Sequence, residues 1–564
     1  MMVQRSCRMN RRRTGDLPGP EGELESFAAA TAGDSLRISA WTLVSRLTGV
    51  LRLAAVGAVL GPTLLGNTFQ FTNSLPNLIY YGFLGGSLFS SLLVPVLASL
   101  DGSDRRAAER LAGGFLGVAL GGLTLAALVA VLVGPLLLRL GARGTQDAAV
   151  GAAQEEVGRL LLALLIPQVL AYAVVGTSTA VMNAHRRFAL AAAAPALENV
   201  GILVVLGLVA VLYRPTDRLD EVPLSELVVL GVGATAAVGI HAAVQWWGAR
   251  RVGIVLVPAA GWRDPEVTAL VRRAMPALGI SGVTALQMLL VLVLANRVQG
   301  GVIAAQIGLT FSSVIVALGA TPVALALLPR LSRFFVEDDR DGFRDAWLRG
   351  VALTFFVTVP AAAGFLVLAR PLAEVVAVGR MGSSAGVQLV ATMIPALAPG
   401  IIGWGLFQVL ANAFYARKDT RTPLRSMVVQ AATFLVLAIS ALVVDTAHVL
   451  VVLGLSFSAA NTVGVCHLAV RLRAGSDRVS GRLGSSVRRV VGGTAVMAVP
   501  AWAITVLVPS WIGGRAGWWI ALITATLVGA AVFLLLQAWW RAPELTWLTG
   551  GLACTRGRDG GDPG

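Results

Sequence analysis

The chain contains few charged residues and very little cysteine or histidine. Only 13% of its 564 residues are Asp, Glu, Lys or Arg, about half the usual share in a soluble protein. The 3 cysteines and 4 histidines are scattered, without the spacing of a disulfide framework or a metal site. No phosphate-binding Gly-Lys-Ser/Thr loop and no catalytic cluster is present. The sequence therefore predicts neither an ATP-hydrolysing enzyme nor a protein with a bound cofactor.

Long apolar runs make up most of the chain. Apolar residues account for 56% of it, enough for up to about 15 helices of roughly 20 residues that cross a bilayer. This composition excludes a soluble enzyme, a disordered protein and a nucleic-acid-binding domain. Because the runs are continuous and do not alternate with polar residues, an outer-membrane barrel is excluded as well. We predict an all-α polytopic membrane protein.

Fourteen apolar segments are long enough to span a membrane. They cover residues 36–60, 68–99, 111–138, 158–182, 189–213, 224–248, 274–296, 303–328, 347–369, 388–415, 424–444, 448–470, 488–509 and 517–540. The loops that follow even-numbered spans, with their flanks, carry 25 Lys and Arg residues, against 9 for the other loops. The positive-inside rule places the even loops, and with them both termini, in the cytoplasm. The net charge of +15 then indicates contact with anionic lipids and not with nucleic acid.

Two pairs of similar helix ends indicate an internal repeat. Asn183-Ala184 and Asn412-Ala413 are 229 residues apart, and Leu93-Val94-Pro95 and Leu327-Leu328-Pro329 are 234 apart. We predict two six-helix pseudo-symmetric lobes in the same orientation, as in transporters with a substrate site between the lobes. Chance similarity of apolar, basic-ended helices is the alternative. The predicted organisation is a disordered tail (1–35), an N-lobe (36–248), a linker (249–273), a C-lobe (274–472), two extra helices (473–540) and a second tail (541–564).

Several short motifs, in this order on fourteen spans, resemble those of the MurJ (MviN) family within the multidrug/oligosaccharidyl-lipid/polysaccharide exporter superfamily. They cover about residues 36 to 480, and the closest match is the run Phe414-Tyr415-Ala416-Arg417-Lys418-Asp419-Thr420-Arg421-Thr422-Pro423. The others include Ser45-Arg46-Leu47-Thr48-Gly49-Val50-Leu51-Arg52, Leu75-Pro76-Asn77, Met182-Asn183-Ala184-His185-Arg186-Arg187-Phe188 and Ala194-Pro195-Ala196-Leu197-Glu198-Asn199.

The resemblance implies a flippase in the bacterial plasma membrane. Its substrate would be lipid II, the undecaprenyl-pyrophosphate-linked peptidoglycan precursor, carried from the inner to the outer leaflet and coupled to the membrane potential or an ion gradient. Many members carry charged residues where this chain has Leu53, Asn67, Tyr80-Tyr81 and Leu309-Thr310. These differences motivate two alternatives: an exporter of another polyprenyl-linked glycan or small metabolite, and a non-transporting membrane scaffold.

Two arginines lie deep in the first span. Arg46 is ten residues, or about 15 Å, into the helix, and Arg52 points about 120° away from it. A charge at this depth costs roughly 2.5–3.5 kcal/mol on insertion scales. Both arginines are therefore predicted to bind the substrate, because a guanidinium group matches a pyrophosphate bidentately. A buried ion pair or contact with helix carbonyls is the alternative.

Polar side chains form a stripe on the second span. Asn67, Gln70, Asn73 and Asn77, together with Ser74 and Tyr81, fall within a 120° arc at 100° per residue. We predict that this stripe is a cavity wall that bonds sugar or peptide groups. Polar contact between helices is the alternative.

Glu198 is the clearest acidic residue deep in the first half. It is predicted to take part in the site as a proton acceptor, as an ion ligand or as a partner of Arg46 or Arg52, and a purely structural pair is an equal alternative. The lone polar residues Gln287, Gln408, Gln430, Asn461 and His467 are interpreted as packing residues.

Overall fold

The structure is a computed structural model that describes residues 20–88, 93–100, 105–142, 148–473 and 481–547. Within these ranges the chain is almost entirely helical. The first half forms α1 (Pro20–Leu60), α2 (Leu64–Leu88), α3 (Val94–Ser99), α4 (Arg105–Ala142), α5 (Ala148–Leu165), α6 (Gln168–Ala184), α7 (Phe188–Leu212) and α8 (Leu224–Arg251). The second half forms α9 (Pro265–Ala295), α10 (Gly301–Val336), α11 (Arg340–Val367), α12 (Ala369–Val376), α13 (Ser384–Ala416), α14 (Arg421–Ala438), α15 (Thr446–Arg473), α16 (Gly481–Ile512) and α17 (Gly514–Trp539).

The helices reproduce the predicted spans. In the described part of the chain, 13 helical stretches are long and apolar enough to cross a membrane, and each corresponds to one predicted span. The fourteenth, the second in order, is α2, whose 25 residues extend about 37 Å at 1.5 Å per residue but whose polar stripe lowers its hydropathy. The fourth span is interrupted at Ile166-Pro167, between α5 and α6. The prediction of an all-α polytopic membrane protein is confirmed.

Helix packing repeats after six spans. In the first half, α7 packs on α1 and α8, and α6 packs on α4 and α8. In the second half, α14 packs on α9 and α15, and α13 packs on α11 and α15. Arg186 after the fourth span and Lys418 after the tenth both adopt positive φ, at 58° and 59°. This equivalence confirms the two pseudo-symmetric lobes.

The two lobes share an apolar core at one end of the bundle and have separate cores at the other. We call the end that carries the loops at Arg186, Arg250 and Arg417 the basic end. Near the opposite end, one continuous core joins both lobes and includes Leu60, Phe69, Ile303, Met381 and Leu397. Toward the basic end, the N-lobe has its own core around Leu111, Phe115 and Val181. The C-lobe core there lies around Leu331, Trp347 and Phe414. The lobes are therefore joined most firmly away from the basic loops.

The linker between the lobes packs against α4. Ala259 N donates to Gly113 O at 3.0 Å, and Val255 N donates to the Glu109 carboxylate at 3.2 Å. A Cβ at Gly113 or Gly117 would collide with the linker backbone at Val257 or Ala259. These glycines therefore allow the chain between α8 and α9 to lie directly on the helix.

The chain ends differ in part from the predicted tails. Helix α1 already begins at Pro20, so the prediction that residues 20–35 are disordered is not met. Pro at the first helical position and the following Glu and Ala residues favour helix, which explains the early start. Residues 1–19 and 548–564 of the predicted tails lie outside the described ranges. The extra helices α16 and α17 pack on each other, and α16 also packs on α11.

Candidate functional site

The two arginines of α1 lie near Tyr81 of α2. Arg46 is exposed and Arg52 is half-buried, and both are close enough to act electrostatically on the Tyr81 hydroxyl, as is Glu198. Tyr81 is 55% exposed, so its ring borders open space. The structure thus places three of the predicted charged residues around one tyrosine at the boundary between the lobes.

Glu198 is held by three side chains from three helices. Its Oε1 lies 3.6 Å from Arg52 Nη1 on α1 and accepts a hydrogen bond from the Tyr172 hydroxyl on α6 at 3.0 Å. Its Oε2 lies 3.0 Å from His241 Nδ1 on α8. Glu198, Tyr172 and His241 are all buried, with 7%, 5% and 3% of their surface exposed. We call these four residues the Glu198 cluster.

His241 and Tyr172 were not predicted from the sequence. The depth of His241 along its helix could, however, have indicated its contact with Glu198. Glu198 is ten residues after the start of α7, and His241 is ten residues before the end of α8. Because these adjacent helices are antiparallel, both side chains lie about 15 Å from the same end at 1.5 Å per residue. An acidic and a titratable residue at equal depth on neighbouring spans are candidates for contact.

In the half of the polar stripe that lies away from the basic end, the side chains form hydrogen bonds between the lobes. Asn67 is fully buried; its Nδ2 donates to Val298 O at 2.7 Å and its Oδ1 accepts from Val302 N at 3.1 Å. Gln70 Nε2 donates to Gln306 Oε1, and Gln306 Nε2 donates to Ser74 Oγ at 2.6 Å. In this part of α2, the interhelical interpretation of the stripe describes the structure.

In the half of the stripe toward the basic end, the side chains are less involved in contacts between helices. Asn73 is 9% exposed, and its Oδ1 accepts a long hydrogen bond of 3.5 Å from Gln168 Nε2. Asn77 is half-buried, one helical turn before the exposed Tyr81. The predicted cavity wall therefore fits the Asn77–Tyr81 end of the stripe, and its role in substrate binding stays a prediction.

Tyr81 also lines a cavity of about 510 Å³ on the C-lobe side. Leu78 and Tyr81 of α2 form one wall, and α9, α10, α13, α14 and α15 form the rest. Its polar lining is uncharged: Ser281, Thr284, Gln287, Thr310, Ser313, Gln430 and Asn461. Three of these, Gln287, Gln430 and Asn461, are residues that the sequence suggested were packing residues. Gln430 donates to Asn461 at 3.2 Å, and Gln287 Nε2 is buried without a partner in the structure.

At the opposite end, an arginine of the C-lobe reaches across to the N-lobe. Arg380 Nη2 donates to Asp217 Oδ1 at 2.6 Å and to Thr216 O at 2.9 Å. The turn that carries Arg380 sits directly on α1, where Gly379 has φ 57° and a Cβ would lie 2.5 Å from Ala58 O. Together with the Asn67 bonds, these contacts close the space between the lobes at the end away from the basic loops.

The arrangement can bind an anion next to uncharged polar groups. Arg46 and Arg52 supply guanidinium groups near Tyr81, and Tyr81 lines a cavity whose other polar groups are mainly amides and hydroxyls. Among the residues that the structure describes, no group of three or more His, Cys, Asp or Glu side chains is placed to hold a metal ion.

Comparison with known proteins identifies the family. Residues 56–521 match the family model described as lipid II flippase MurJ. A probable lipid II flippase MurJ from Vibrio cholerae is 30% identical over 412 residues, which cover 71% of this chain and 75% of the relative. A lipid II flippase MurJ from Burkholderia cenocepacia is 25% identical over 397 residues, 69% of this chain and 74% of the relative.

Solved structures show the same fold. A lipid II flippase MurJ in an inward closed conformation aligns with a TM-score of 0.71 at 14% identity, covering 89% of this chain and 98% of that chain. An inward-facing multidrug resistance transporter of the MATE family, in the MOP superfamily, aligns with a TM-score of 0.58 at 14% identity over 76% of this chain and 95% of that chain. From the extent of the family match and the identity to its members, the chain belongs to the lipid II flippase MurJ family.

Proposed function

We propose that this protein flips lipid II, the lipid-linked peptidoglycan precursor, from the inner to the outer leaflet by alternating access. The observation that carries the proposal is the position of Arg46 and Arg52 near Tyr81, which also lines the 510 Å³ cavity between α2 of the N-lobe and the helices of the C-lobe. The lobes share an apolar core at the opposite end and have separate cores at the basic end. A transporter that binds substrate between two rocking lobes requires this arrangement.

Each part of lipid II has a matching surface in this site. The pyrophosphate pairs with Arg52 and Arg46, since guanidinium groups form charge-assisted bonds to phosphate oxygens. The sugar and peptide hydroxyl and amide groups bond to Asn77 and to the polar lining of the 510 Å³ cavity. The polyprenyl chain stays in the bilayer, because its removal from lipid would bring no gain in apolar burial.

The basic end is assigned to the cytoplasm of a bacterial cell, with both termini on that side. This orientation follows from the excess of arginine in those loops. Arg250 stacks over Trp246 and Arg251 over Trp247, each at 4.1 Å from the ring centroid. Tryptophan and arginine together favour the membrane interface, where the arginines attract anionic lipids. Transport requires no cofactor and draws its energy from the membrane potential or an ion gradient.

Replacement of the essential flippase in a test bacterium is the direct experiment. The resident lipid II flippase is depleted while this chain is expressed in its place. We expect growth and normal cell shape, and loss of both when Arg52→Ala is supplied at equal abundance. Lysis despite normal amounts of the intact chain in the membrane would contradict lipid II as the substrate and favour another lipid-linked glycan.

A further inference from the structure

We propose that the Glu198–His241 pair is a proton-binding site and that proton binding releases Arg52 to the cavity. The inference deepens the proposed function, because it couples one proton to the arginine assigned to the pyrophosphate. It rests on the geometry of the Glu198 cluster and of Gln245, one helical turn beyond His241 on α8.

The hydrogen bonds around His241 fit a neutral ring that can bind one more proton. Nδ1 lies 3.0 Å from the Glu198 carboxylate, so it carries hydrogen and donates. Nε2 lies 3.5 Å from the amide nitrogen of Gln245, so in this orientation it accepts. A second proton would bind at Nε2, which then requires an acceptor.

Gln245 can supply that acceptor. Its Oε1 is buried without a hydrogen-bond partner in the structure, and the whole residue is only 1% exposed. An unsatisfied buried oxygen costs about 1–3 kcal/mol. Rotation of the amide brings Oε1 to the protonated Nε2 and gives up only the 3.4 Å bond from Gln245 Nε2 to Ala191 O. The site thus has an unused acceptor beside the nitrogen that takes the proton.

Protonation changes which cation neutralises Glu198. With a neutral ring, Arg52 is the only cation in the cluster, and its 3.6 Å distance to the carboxylate is long for a hydrogen bond. A protonated His241 at 3.0 Å neutralises the same carboxylate from a buried position. The His241 side chain is 4% exposed, whereas that of Arg52 is 22% exposed. Arg52 is the cation that can leave, and we infer that it moves toward Tyr81 and the cavity that Tyr81 lines.

The other ionisable groups near the pair are consistent with this exchange. Tyr172 on α6 donates to Glu198 and stacks on Tyr80 of α2 with ring centroids 5.2 Å apart. Tyr81 of α2 lies near Tyr172, and Arg46 of α1 lies near Tyr81. In the described residues of α7 and α8, Glu198 and His241 are the titratable groups at this depth. The added proton therefore raises the net charge of the site by one and favours an anion in the cavity.

Proton and pyrophosphate consequently strengthen each other's binding, since thermodynamic coupling is reciprocal. A single coupled proton increases affinity by at most about tenfold for each unit of pH decrease. The pyrophosphate of lipid II is esterified at both ends, and its acid groups remain ionised between pH 5 and 8. Any pH dependence of lipid II binding in this range then belongs to the protein.

The first arm of the test observes the histidine without substrate. With only 4 histidines in the chain, the full-length protein labelled with ¹⁵N-histidine in nanodiscs gives a short list of signals, and His241→Gln identifies one of them. We expect the His241 signal to show proton uptake when the sample is taken from pH 8 to pH 5, and to show less of it in Gln245→Leu, which removes the acceptor. A signal that keeps one neutral form across this range would overturn the proposal.

The second arm measures binding of undecaprenyl pyrophosphate and of lipid II in nanodiscs as a function of pH. We expect lipid II to bind the native protein more tightly as pH falls. Undecaprenyl pyrophosphate has a free terminal phosphate that itself takes up a proton in this range, so for this lipid we expect a pH profile that differs between the native protein and His241→Gln. His241→Gln should bind lipid II with the affinity of the native protein at high pH, without pH dependence, and should bind undecaprenyl pyrophosphate with only the pH dependence of the lipid's own phosphate. His467→Gln is the control, because His467 bonds to Ser426 in the C-lobe at 2.7 Å and should leave the native profile unchanged.

The two lipids separate this inference from the proposed function. If the pH dependence is unchanged in His241→Gln, the proposed proton site is overturned even if lipid II binds. Binding of undecaprenyl pyrophosphate with a pH profile that changes in His241→Gln, without binding of lipid II, supports the proton site and removes lipid II as the substrate.

Discussion

Arg52 and Glu198 differ in how much the fold depends on each of them. Glu198 accepts bonds from Tyr172 and His241 and contacts Arg52, so its carboxylate keeps two partners when the arginine is removed. Arg52 is partly exposed and has a single long contact to a carboxylate. Without Arg52, the buried carboxylate of Glu198 still accepts two hydrogen bonds, whereas without Glu198 the buried Tyr172 and His241 lose their acceptor, which costs about 1–3 kcal/mol for each unsatisfied group.

At the residue scale, we therefore expect Arg52→Ala to keep normal abundance and lose substrate binding. Loss of one charge-assisted contact should weaken binding by roughly 1.5–3 kcal/mol, about ten- to a hundredfold. Arg52→Lys should retain partial binding, because it keeps the charge but loses the bidentate fork. Glu198→Leu should instead lower the amount of folded protein, since Tyr172 and His241 lose their acceptor.

Membrane abundance and lipid II flipping in proteoliposomes measure the two effects separately. Arg139→Ala is the matched control, because Arg139 pairs with Glu155 at the opposite end of the bundle. Low abundance of Arg52→Ala, restored by adding Glu198→Gln, would show that the arginine is structural.

The sequence predicted the charged residues and a possible pairing of Glu198 with an arginine of α1, which the structure has at Arg52, but it did not predict the other partners of Glu198. Arg46, Arg52 and Glu198 are conspicuous because a charge in an apolar span is rare and costly. His241, Gln430 and Asn461 were not identified, since a single polar residue on an apolar helix has no periodicity of its own. Their roles depend on which helices are neighbours, and that is decided by packing of the whole bundle.

At the element scale, α2 and α4 show what a helix sequence specifies. The stripe on α2 was evident from spacing, yet its division into a lobe contact at Asn67 and an open portion at Asn77 was not. A polar stripe in the sequence shows which face of a helix is polar. Whether that face is buried depends on how far the facing lobe extends along the helix. Likewise, the glycines of α4 do not by themselves indicate that the linker lies on this helix.

We expect Gly117→Ala to destabilise the protein and loosen the linker. The added Cβ meets the backbone oxygen of Ala259, and crowding of this kind typically costs roughly 1–3 kcal/mol. Gly121→Ala is the control on the same helix, where a Cβ has nothing within 4 Å. There, alanine should be neutral or stabilising by about 0.5–1 kcal/mol, through helix propensity.

Thermal unfolding of the purified variants and proteolysis at residues 252–263 check this prediction. A lower melting temperature and faster cleavage in Gly117→Ala alone is the expected pattern. Equal behaviour of the two alanine variants would show that the linker does not pack on α4 in the membrane.

At the scale of the whole molecule, the assigned orientation has a direct readout. In a chain without native cysteine, Asp445→Cys should react with a membrane-impermeant maleimide added to intact cells. Asp341→Cys should react only after permeabilisation. Both positions are exposed in the structure, so accessibility is decided by the side of the membrane. The reverse labelling would place the basic loops outside and invert the direction of the proposed transport.

Alternating access requires that the contacts at the opposite end separate in every cycle. A Cβ built at Gly57 of α1 lies 3.2 Å from Met381 Cβ in the C-lobe turn, close to the roughly 3.5–4.5 Å of a disulfide. With the native cysteines replaced, Gly57→Cys with Met381→Cys should form a disulfide across the lobes. Oxidation should then stop flipping, and reduction should restore it. The same treatment of Gly529→Cys with Ala501→Cys, 3.6 Å apart between the extra helices α17 and α16, should leave flipping unchanged, because that pair does not join the lobes. Full transport with a quantitatively formed Gly57–Met381 disulfide would show that the lobes do not part at this end, and the rocking mechanism would have to be abandoned.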